Sequence, residues 1–406
     1  MLMNSWESLR ERLHELAEYA AEYSVFYKER LSGITTSNWS RERFEQIPKL
    51  EKGEIIGREE LLLTDSTAKL YAEFTSGSTG QPLKCYKSNR EKWQKARLLW
   101  RIRGNKGGIG PKDPYAMFYA FNEDDLTTDT VSVYQQVMYM SMLDMSSKRL
   151  DTYYEALLEY RPQWLLSVST ALYLFANHLL ERNFDRTMLP LKYIEINGEM
   201  LFDYQRQAIE KAFGPIVYNH YGSREFWCIA MSCRNGNLHL SSDQMYVEIL
   251  NADSDGYGNV VITDLTNKTW PLIRYDTGDI GRLPGIRCTC GSAHPVIEVT
   301  GGRATQYIRS GSWISSPILF HYAVTKVNRL HPDAIRQFRV TQEEEKSFLF
   351  HLVPGTGFQE AAELLLKQEL RNKIPDDVDL TVDHQDRLNT EGPKFDYFIP
   401  YRKAHS

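Results

Sequence analysis

Apolar positions along the N-terminal part of the chain alternate between helical spacing and strand-length runs. Leu9, Leu13, Leu16 and Ala20 fall on one helical face and predict a helix within 4–31. The same spacing predicts helices at 91–103, at 150–160, at 171–182 with Ser169-Thr170 as N-cap, and one ending at 213. Continuous apolar runs predict strands at 115–121, 164–168, 191–196 and 215–219. Strands alternating with helices indicate an α/β fold with a mostly parallel sheet covered by helices.

The pattern changes after residue 238. Short runs separated by turns predict strands at 245–250, 259–264 and 271–275, and therefore a β-rich subdomain over about 238–302. Beyond it, strands at 338–340 and 348–353, a helix at 358–370 and a strand at 378–382 favour a small α+β domain. We expect a large N-terminal domain of residues 1–302 and a small C-terminal domain of residues 303–406.

Composition narrows the class of protein. The 406 residues are 42% hydrophobic and 25% charged, which is typical of a globular protein with ample core. A net charge of −5 gives no general attraction to nucleic acid or to an anionic membrane. The uncharged stretch 162–180 carries too many polar groups for a membrane span, and the charged N-terminus does not resemble a signal peptide. An odd number of cysteines, five, argues against a secreted disulfide framework, so we expect a cytoplasmic protein.

Residues 75–84 read Thr-Ser-Gly-Ser-Thr-Gly-Gln-Pro-Leu-Lys, a loop rich in glycine and hydroxyl groups. Backbone N–H groups in such a loop can surround phosphate oxygens, hydroxyls add donors, and a lysine adds charge. It is not a Walker loop, because no Gly-Lys-Ser/Thr sequence follows. The alternative is a flexible surface turn. The predicted phosphate contacts are Thr75, Ser76, Gly77, Ser78, Thr79, Gly80 and Lys84.

Asn219-His-Tyr-Gly-Ser-Arg-Glu225 follows a predicted strand, and ligands of open α/β sheets bind outside such strand ends. Tyr221 offers a ring face to an adenine, and Asn219 offers a donor and an acceptor to the base edge. Glu225 could hold Mg²⁺ through oxygen. In 274–279, the carboxylate of Asp279 could accept the hydroxyls of a ribose. The alternative is a packed tyrosine beside a turn and a surface glutamate.

Two later stretches carry single basic residues on glycine-containing turns. Arg303 follows Gly301-Gly302 at the predicted domain junction. Lys394 follows Gly392-Pro393, a rigid turn from which a lysine could reach the cleft of another domain. Taken singly, each is more simply an exposed residue without a specific role.

In this order, these stretches resemble the adenylate-forming superfamily of acyl-CoA synthetases, nonribosomal peptide synthetase adenylation domains and luciferases. Within it, the chain is similar to the phenylacetate-CoA ligase family and to capsule-biosynthesis adenylating proteins. The resemblance covers nearly the whole chain and rests on residues 23–27, 75–80, 197–199, 221–225, 275–279 and 392–395.

The resemblance implies ATP and Mg²⁺ as ligands and CoA as the acyl acceptor. The glycine loop would hold the phosphates, with Thr79 as a catalytic residue, Glu225 would bind Mg²⁺, and Asp279 would hold the ribose. Lys394, on a mobile C-terminal domain, would neutralise charge during adenylation before that domain rotates, and Arg303 would contact the nucleotide at the hinge. The remaining nucleotide contacts would be Gly198, Glu199, Asn219, Tyr221, Gly222 and Ser223.

The sequence departs from the pattern of the family at three places. Thr305 stands at the usually acidic hinge position, and Pro393 separates Gly392 from Lys394. Residues 122–125 read Asn-Glu-Asp-Asp where aromatic-acid ligases of this branch are usually glycine-rich, so we expect a different acyl pocket.

Cys233, His239, Cys288 and Cys290 form a set of soft ligands in the β-rich region. Three thiolates and an imidazole would make a closed tetrahedral Zn²⁺ site of the structural type. The alternative is a group of buried free thiols.

The leading functional hypothesis is an ATP-dependent ligase. It would activate a carboxylic acid, with aromatic acids among the candidates, as an acyl-adenylate and transfer the acyl group to CoA. One alternative uses an amine, a hydroxyl or a carrier-protein thiol as acceptor, and another is a non-catalytic nucleotide-binding relative. We expect no nucleic-acid or membrane partner and leave a homodimer open.

Overall fold

The computed structural model describes residues 6–34, 39–65, 67, 69–75, 83–119, 131–142, 145–183, 186–300, 308–311, 313–315, 317–386, 388 and 397–401. These residues fall into two compact units. The first unit takes in the described residues up to 110 and those of 218–300, and the second takes in those of 111–217 and those beyond 307. The predicted boundary at 302/303 and the mobility of the residues that follow it stay predictions.

The helices are α1 (Trp6–Tyr23), α2 (Val25–Arg30), α3 (Arg41–Glu45), α4 (Lys52–Ile55), α5 (Asn89–Gly107), α6 (Ser147–Tyr160), α7 (Ser169–Glu181), α8 (Asp203–Phe213), α9 (Ile318–Leu330) and α10 (Glu360–Arg371). Short 3₁₀ helices cover Glu59–Leu62 and Arg186–Met188. None of the described helices has the length and apolar character that crossing a membrane requires.

The first ten strands are β1 (Leu70–Phe74), β2 (Lys84–Ser88), β3 (Tyr115–Tyr119), β4 (Val131–Tyr134), β5 (Val137–Ser141), β6 (Trp164–Ser167), β7 (Tyr193–Asn197), β8 (Val217–Tyr221), β9 (Ala230–Ser232) and β10 (Leu238–Leu240). The others are β11 (Met245–Leu250), β12 (Gly258–Asp264), β13 (Tyr275–Arg282), β14 (Val296–Thr300), β15 (Ile308–Ser310), β16 (Trp313–Ser315), β17 (Ile335–Glu344), β18 (Ser347–Pro354), β19 (Asp379–His384) and β20 (Phe398–Ile399).

The first unit contains an antiparallel sheet in the order β11-β12-β13-β14-β10-β9-β8 and the β1–β2 hairpin. The predicted N-terminal helix is present as α1, whose Leu9, Leu13 and Leu16 are buried. They share one apolar core with residues of the sheet, including Val260 and Ile262 of β12. The first unit is therefore where the predicted β-rich region lies.

The second unit contains a sheet in the order β7-β6-β3-β5-β4, in which only β4 runs antiparallel to its neighbour. β6 and β7 are almost continuously buried, as expected for parallel strands covered on both faces. Helices α6, α7 and α8 contribute to the apolar core of this sheet. This confirms the predicted mostly parallel sheet with helices.

The C-terminal part of the second unit has an apolar core of its own, formed by residues between Ile308 and Phe398. Its sheet has the order β19-β18-β17-β20, and α9 and α10 contribute to the core. The predicted α+β character is confirmed, although the sequence pattern missed α9. The strands predicted at 338–340 and 348–353 are the centres of the longer β17 and β18.

Two predicted elements are wrong. Residues 271–274 do not form a strand, because the N–H of Ile273 donates to the Tyr27 hydroxyl at 3.1 Å and that of Arg274 donates to Thr263 Oγ1 at 2.9 Å. Arg274 also has a φ of 52°, outside the β region. Strand β13 instead starts at Tyr275 and runs to Arg282, so Asp279 lies within a strand. The helix predicted to be capped by Ser169-Thr170 begins at Ser169, with Val168 at the N-cap.

Arg274 forms a buried ion pair with Glu248 of β11. Its Nη2 lies 3.0 Å from Oε1 and its Nε lies 3.2 Å from Oε2, and both side chains are less than a tenth exposed. Nη1 donates to the carbonyl oxygens of Glu45 and Ile47, so the guanidinium joins the α3 region to the sheet. Burial raises the pKa of Glu248, and the Arg274 charge opposes that rise.

We predict that Arg274→Ala lowers the free energy of unfolding by about 3–5 kcal/mol, because it leaves the Glu248 carboxylate buried without its partner. Arg282→Ala is the control, since the Arg282–Glu298 pair is about a third exposed on each side, and it should cost less than about 1 kcal/mol. Urea unfolding followed by tryptophan fluorescence measures both. Equal losses for the two variants would show that burial of the Arg274–Glu248 pair does not set its contribution to stability.

Candidate functional site

The glycine-rich loop is closed at its base by Thr75 and Leu83. The Thr75 N–H donates to the Leu83 carbonyl at 3.0 Å, and the Leu83 N–H donates to Thr75 Oγ1 at 2.9 Å. Lys52 Nζ of α4 also lies 3.3 Å from Thr75 Oγ1. The two ends of the loop are thus fixed next to each other. The other predicted loop residues, Ser76, Gly77, Ser78, Thr79 and Gly80, lie outside the described residues.

Lys84, predicted to contact phosphate, is the first residue of β2. Its Nζ lies 4.8 Å from the centre of the Tyr86 ring and 3.8 Å from Glu60 Oε1. About a third of its side chain is exposed, so the ammonium remains accessible to an anion at this end of the loop.

Tyr221 and Asp279 are brought together, although the sequence places them on separate strands. Tyr221 ends β8, Asp279 lies within β13, and the phenol donates to Asp279 Oδ2 at 2.8 Å. Burial, and then the Asp279 charge, raise the pKa of Tyr221 well above its ordinary value. The phenol therefore stays protonated and keeps Asp279 in a fixed orientation.

Glu225 and Tyr275 form a second pair. The Tyr275 hydroxyl donates to Glu225 Oε1 at 3.1 Å, and both residues are buried. Burial and the Glu225 charge raise the pKa of Tyr275, so it remains a donor. Among the described residues, Tyr275 is the only hydrogen-bond partner of this carboxylate. A buried carboxylate with so few partners is a suitable ligand for a hard cation.

The segment that carries Glu225 is a tight turn of residues 222–227, here named the Glu225 turn. The Trp227 N–H donates to the Ser223 carbonyl at 2.7 Å, and Trp227 has a φ of 67°. A Cβ on Gly222 would lie 1.9 Å from the Trp227 carbonyl oxygen, so glycine is required there. Left-handed backbone at a bulky residue is uncommon, and such conformations cluster at functional sites.

Ser223 Oγ is buried and has no hydrogen-bond partner among the described residues. Asn219 is half-buried; its N–H donates to Ser232 Oγ at 2.7 Å, while its side-chain amide makes no hydrogen bond with a described residue. Buried polar groups normally have hydrogen-bond partners, so an unpaired hydroxyl within the Glu225 turn fits a ligand that supplies the missing partner.

Gly198 and Glu199 follow β7 in the second unit, where Gly198 has a φ of 79°. The Glu199 carboxylate accepts from the N–H of Thr170 at 3.0 Å and from Ser169 Oγ at 3.1 Å, and Thr170 Oγ1 also donates to it. The carboxylate therefore accepts hydrogen bonds from groups at the N-terminus of α7, which have no acceptor within the helix. Its predicted contact with adenine stays a prediction.

Arg303 and Lys394 lie outside the described residues, as do Thr305, Pro393 and residues 122–125. The sequence pattern also gave no indication of Glu73 and Lys87, which contact the Glu225 turn. Lys87 lies on the face of β2 that buries Cys85 and is itself fully buried. The period-two spacing of Leu83, Cys85 and Lys87 was the available signal.

The four predicted soft ligands converge in the first unit. One ligand atom from each of Cys233, His239, Cys288 and Cys290 lies within 4.8 Å of all the others. Cys233 Sγ is 3.6 Å from Cys288 Sγ, and Cys290 Sγ is 3.3 Å from His239 Nε2. Two sulfurs at about 2.3 Å from one tetrahedral Zn²⁺ would be about 3.8 Å apart, so these separations fit.

Neighbouring groups set the tautomer of His239 and the pKa values of the cysteine thiols. His239 Nδ1 lies 2.8 Å from the His294 carbonyl oxygen, which makes Nδ1 the protonated nitrogen and leaves Nε2 for a ligand. The Asn237 amide and the Cys290 N–H donate to Cys288 Sγ and lower the pKa of that thiol to about 5, whereas burial raises the pKa of Cys233. A thiolate is the form that binds metal.

Curated relatives were found at low identity, and no family model matches the chain. The chain is 25% identical over 295 residues to protein CapK of Staphylococcus aureus, covering 68% of this chain and 62% of that protein. It is 24% identical over 310 residues to phenylacetate-coenzyme A ligase of Thermus thermophilus, covering 70% and 67%. It is 24% identical over 246 residues to indoleacetate–lysine synthetase of Pseudomonas savastanoi, covering 58% and 60%. The matches to CapK and the synthetase thus span less than two thirds of those proteins.

Solved structures share the fold. The chain is similar to 2-hydroxyisobutyryl-CoA ligase in complex with 2-HIB-AMP and CoA in the thioesterification state, with a TM-score of 0.62 and 17% identity over 97% of this chain and 89% of that one. The postadenylation state of that enzyme with 2-HIB-AMP gives a TM-score of 0.60 and 16% identity, over 98% and 89% of the two chains.

We predict that Gly222→Ala destabilises the protein by about 1–3 kcal/mol or more, since the added methyl group overlaps the Trp227 carbonyl oxygen. Gly53→Ala is the control: it lies in α4 with no atom within 4 Å of the new Cβ, and alanine favours helix. Thermal unfolding compares the two. A Gly222→Ala variant as stable as Gly53→Ala would contradict the close approach of the Trp227 carbonyl oxygen to residue 222.

Proposed function

Because this chain belongs to the adenylate-forming superfamily, we propose that it is an ATP-dependent ligase that activates a carboxylic acid as an acyl-adenylate. In this reaction a carboxylate oxygen bonds to the α-phosphorus of ATP, the bond from that phosphorus to pyrophosphate breaks, and pyrophosphate leaves. An acceptor then attacks the acyl carbon and releases AMP.

The observation that carries this proposal is the pairing of two tyrosines with two carboxylates at the end of β8. Tyr221 orients Asp279 at 2.8 Å, and Tyr275 orients Glu225 at 3.1 Å. Tyr221, the last residue of β8, and Glu225 lie two residues on either side of Ser223, whose buried hydroxyl has no hydrogen-bond partner among the described residues. Aromatic faces with fixed acidic groups suit a nucleotide and its metal.

Each described residue then has a defined task. The ring of Tyr221 stacks on the adenine, and Asp279 accepts the ribose hydroxyls. Glu225 would hold Mg²⁺, which would supply positive charge to the phosphates. Asn219 contacts the base edge, and Ser223 and Lys84 donate toward phosphate oxygens.

Other tasks are proposed for residues that the resemblance supplies. Ser76, Ser78 and Thr79 donate to the phosphates from the loop that Thr75 and Leu83 close. Lys394 stabilises charge that develops on the α-phosphate, and Arg303 contacts the nucleotide near the domain junction. Gly198 and Glu199 line the adenine.

CoA is the acceptor we propose, because phenylacetate-coenzyme A ligase and 2-hydroxyisobutyryl-CoA ligase, two similar proteins, are named for it. The name of indoleacetate–lysine synthetase favours an amine as the second candidate. The two acceptors give different products, since CoA would give a thioester and an amine would give an amide. The cytoplasmic location and the homodimer stay predictions.

We predict pyrophosphate release that requires ATP, Mg²⁺ and a carboxylic acid. A screen would include phenylacetate, indoleacetate and 2-hydroxyisobutyrate, each with CoA, with lysine and with neither. Glu225→Gln should lower the rate about 100-fold, because it removes a charge from the Mg²⁺ site. Glu298→Gln is the control, because this partly exposed carboxylate of β14 pairs with Arg282 and belongs to neither tyrosine–carboxylate pair, and it should leave the rate unchanged. Absence of nucleotide binding by calorimetry, with Mg²⁺ present, would refute the proposal.

Cys233, His239, Cys288 and Cys290 would hold one Zn²⁺ that links β10 to the turn 288–291. The metal supplies four bonds between segments that are distant in sequence, and it acts on stability, because it binds the folded state. Cys228 does not belong to the cluster; its sulfur accepts from Ser241 Oγ at 3.7 Å.

We predict about one equivalent of zinc in protein purified without chelator. Cys288→Ser should reduce the zinc content below about 0.2 equivalents and lower the melting temperature by more than about 5 °C. Cys228→Ala should keep the metal. Elemental analysis and thermal unfolding provide the two readings, and metal-free wild-type protein of undiminished stability would contradict the assignment.

A further inference from the structure

A buried lysine contacts the backbone of the Glu225 turn. Lys87 of β2 is fully buried, and its Nζ donates to the Arg224 carbonyl oxygen at 2.8 Å. The same Nζ lies 3.1 Å from Glu73 Oε2 of β1, whose side chain is less than a tenth exposed. The peptide group that precedes Glu225 is therefore held by a charged donor, and the donor by a buried counter-ion.

The other end of the turn is held by the same carboxylate. Trp227 Nε1 donates to Glu73 Oε2 at 2.6 Å, so one oxygen of Glu73 receives both the Lys87 ammonium and the Trp227 indole. A second buried ammonium, that of Lys95, lies 3.5 Å from the Phe226 carbonyl oxygen and is paired with Asp264 at 2.7 Å. The carbonyl groups on both sides of Glu225 thus face buried cations.

We propose that Glu73, Lys87 and Trp227 are positioning residues that hold the Glu225 carboxylate in the orientation required for Mg²⁺. This inference rests on the proposed function, which gives Glu225 its metal. Among the described residues none of the three contacts the Glu225 carboxylate; they act by fixing residues 224 and 227 on either side of it.

The energetics favour such a role over simple stabilisation. Taking an ammonium and a carboxylate out of water is costly, and well-packed apolar residues of similar volume often stabilise a fold as well or better. However, an apolar pair in place of Lys87 and Glu73 could not donate a hydrogen bond to the carbonyl oxygen of a strained turn. Groups that orient a metal ligand typically change metal affinity or activity by about 10- to 100-fold when they are removed.

The test is a double-mutant cycle in the full-length protein. Calorimetry gives the affinity for ATP with excess Mg²⁺ and with EDTA, and the ratio of the two affinities reports the contribution of the metal. Lys87→Met should reduce that ratio by about 10-fold or more while changing the affinity in EDTA less than about 3-fold. In the Lys87→Met/Glu225→Gln variant the ratio should equal that of Glu225→Gln alone, because Lys87 acts only through Glu225.

Two further variants keep the test decisive. Trp227→Phe keeps an aromatic side chain but removes the indole N–H that donates to Glu73, and it should reduce the ratio in the same direction even if Lys87→Met folds poorly. Lys326→Met breaks the Lys326–Glu369 pair of the second unit, 2.9 Å long, and should leave the ratio unchanged.

The outcomes separate the two proposals. Wild-type protein that binds no ATP refutes the proposed function together with this inference. Wild-type protein that binds ATP with a Mg²⁺-dependent gain, combined with additive effects of Lys87→Met and Glu225→Gln, overturns the positioning role alone. Equal ratios in Trp227→Phe and wild type would also overturn it.

Discussion

The candidate site depends on the backbone of residues 222–227, which can close only because residue 222 has no Cβ. The Trp227 carbonyl oxygen occupies the space that a side chain there would need. Tyr221 directly precedes the turn and Glu225 lies within it, and each pairs with a residue of β13: Tyr221 with Asp279, and Glu225 with Tyr275. The absence of a Cβ at residue 222 thus fixes the position of Glu225, whereas Asp279 is placed by strand β13.

Burial gives these groups their chemical character. Each tyrosine stays protonated because burial and an adjacent carboxylate raise its pKa, so each remains a hydrogen-bond donor. Lys87 and Lys95 bring positive charge to the carbonyl groups beside Glu225. Charges act more strongly in a region of low dielectric than at the surface. Fixed charges in such a region are useful in phosphoryl chemistry.

Much of the fold could be predicted from periodicity, because the parallel strands β6 and β7 are almost uniformly apolar and α1 has a clear helical face. Residues 271–274 misled the prediction, since their N–H groups are taken by the side chains of Tyr27 and Thr263, which no local pattern reveals. The burial of Lys87 could not be predicted from local sequence, because its buried counter-ion, Glu73, comes from another strand. The Cys/His cluster could be predicted from residue types, whereas its distances depend on long-range pairing of β10 with β14.

We propose that this chain joins a carboxylate oxygen to the α-phosphorus of ATP. Labelling the carboxylic acid with oxygen-18 and analysing the nucleotide product by mass spectrometry tests it directly. If an acyl-adenylate forms and an acceptor then attacks its acyl carbon, the released AMP carries one oxygen atom from the acid. Product AMP without the label, or ADP with the label in inorganic phosphate, would contradict the claim.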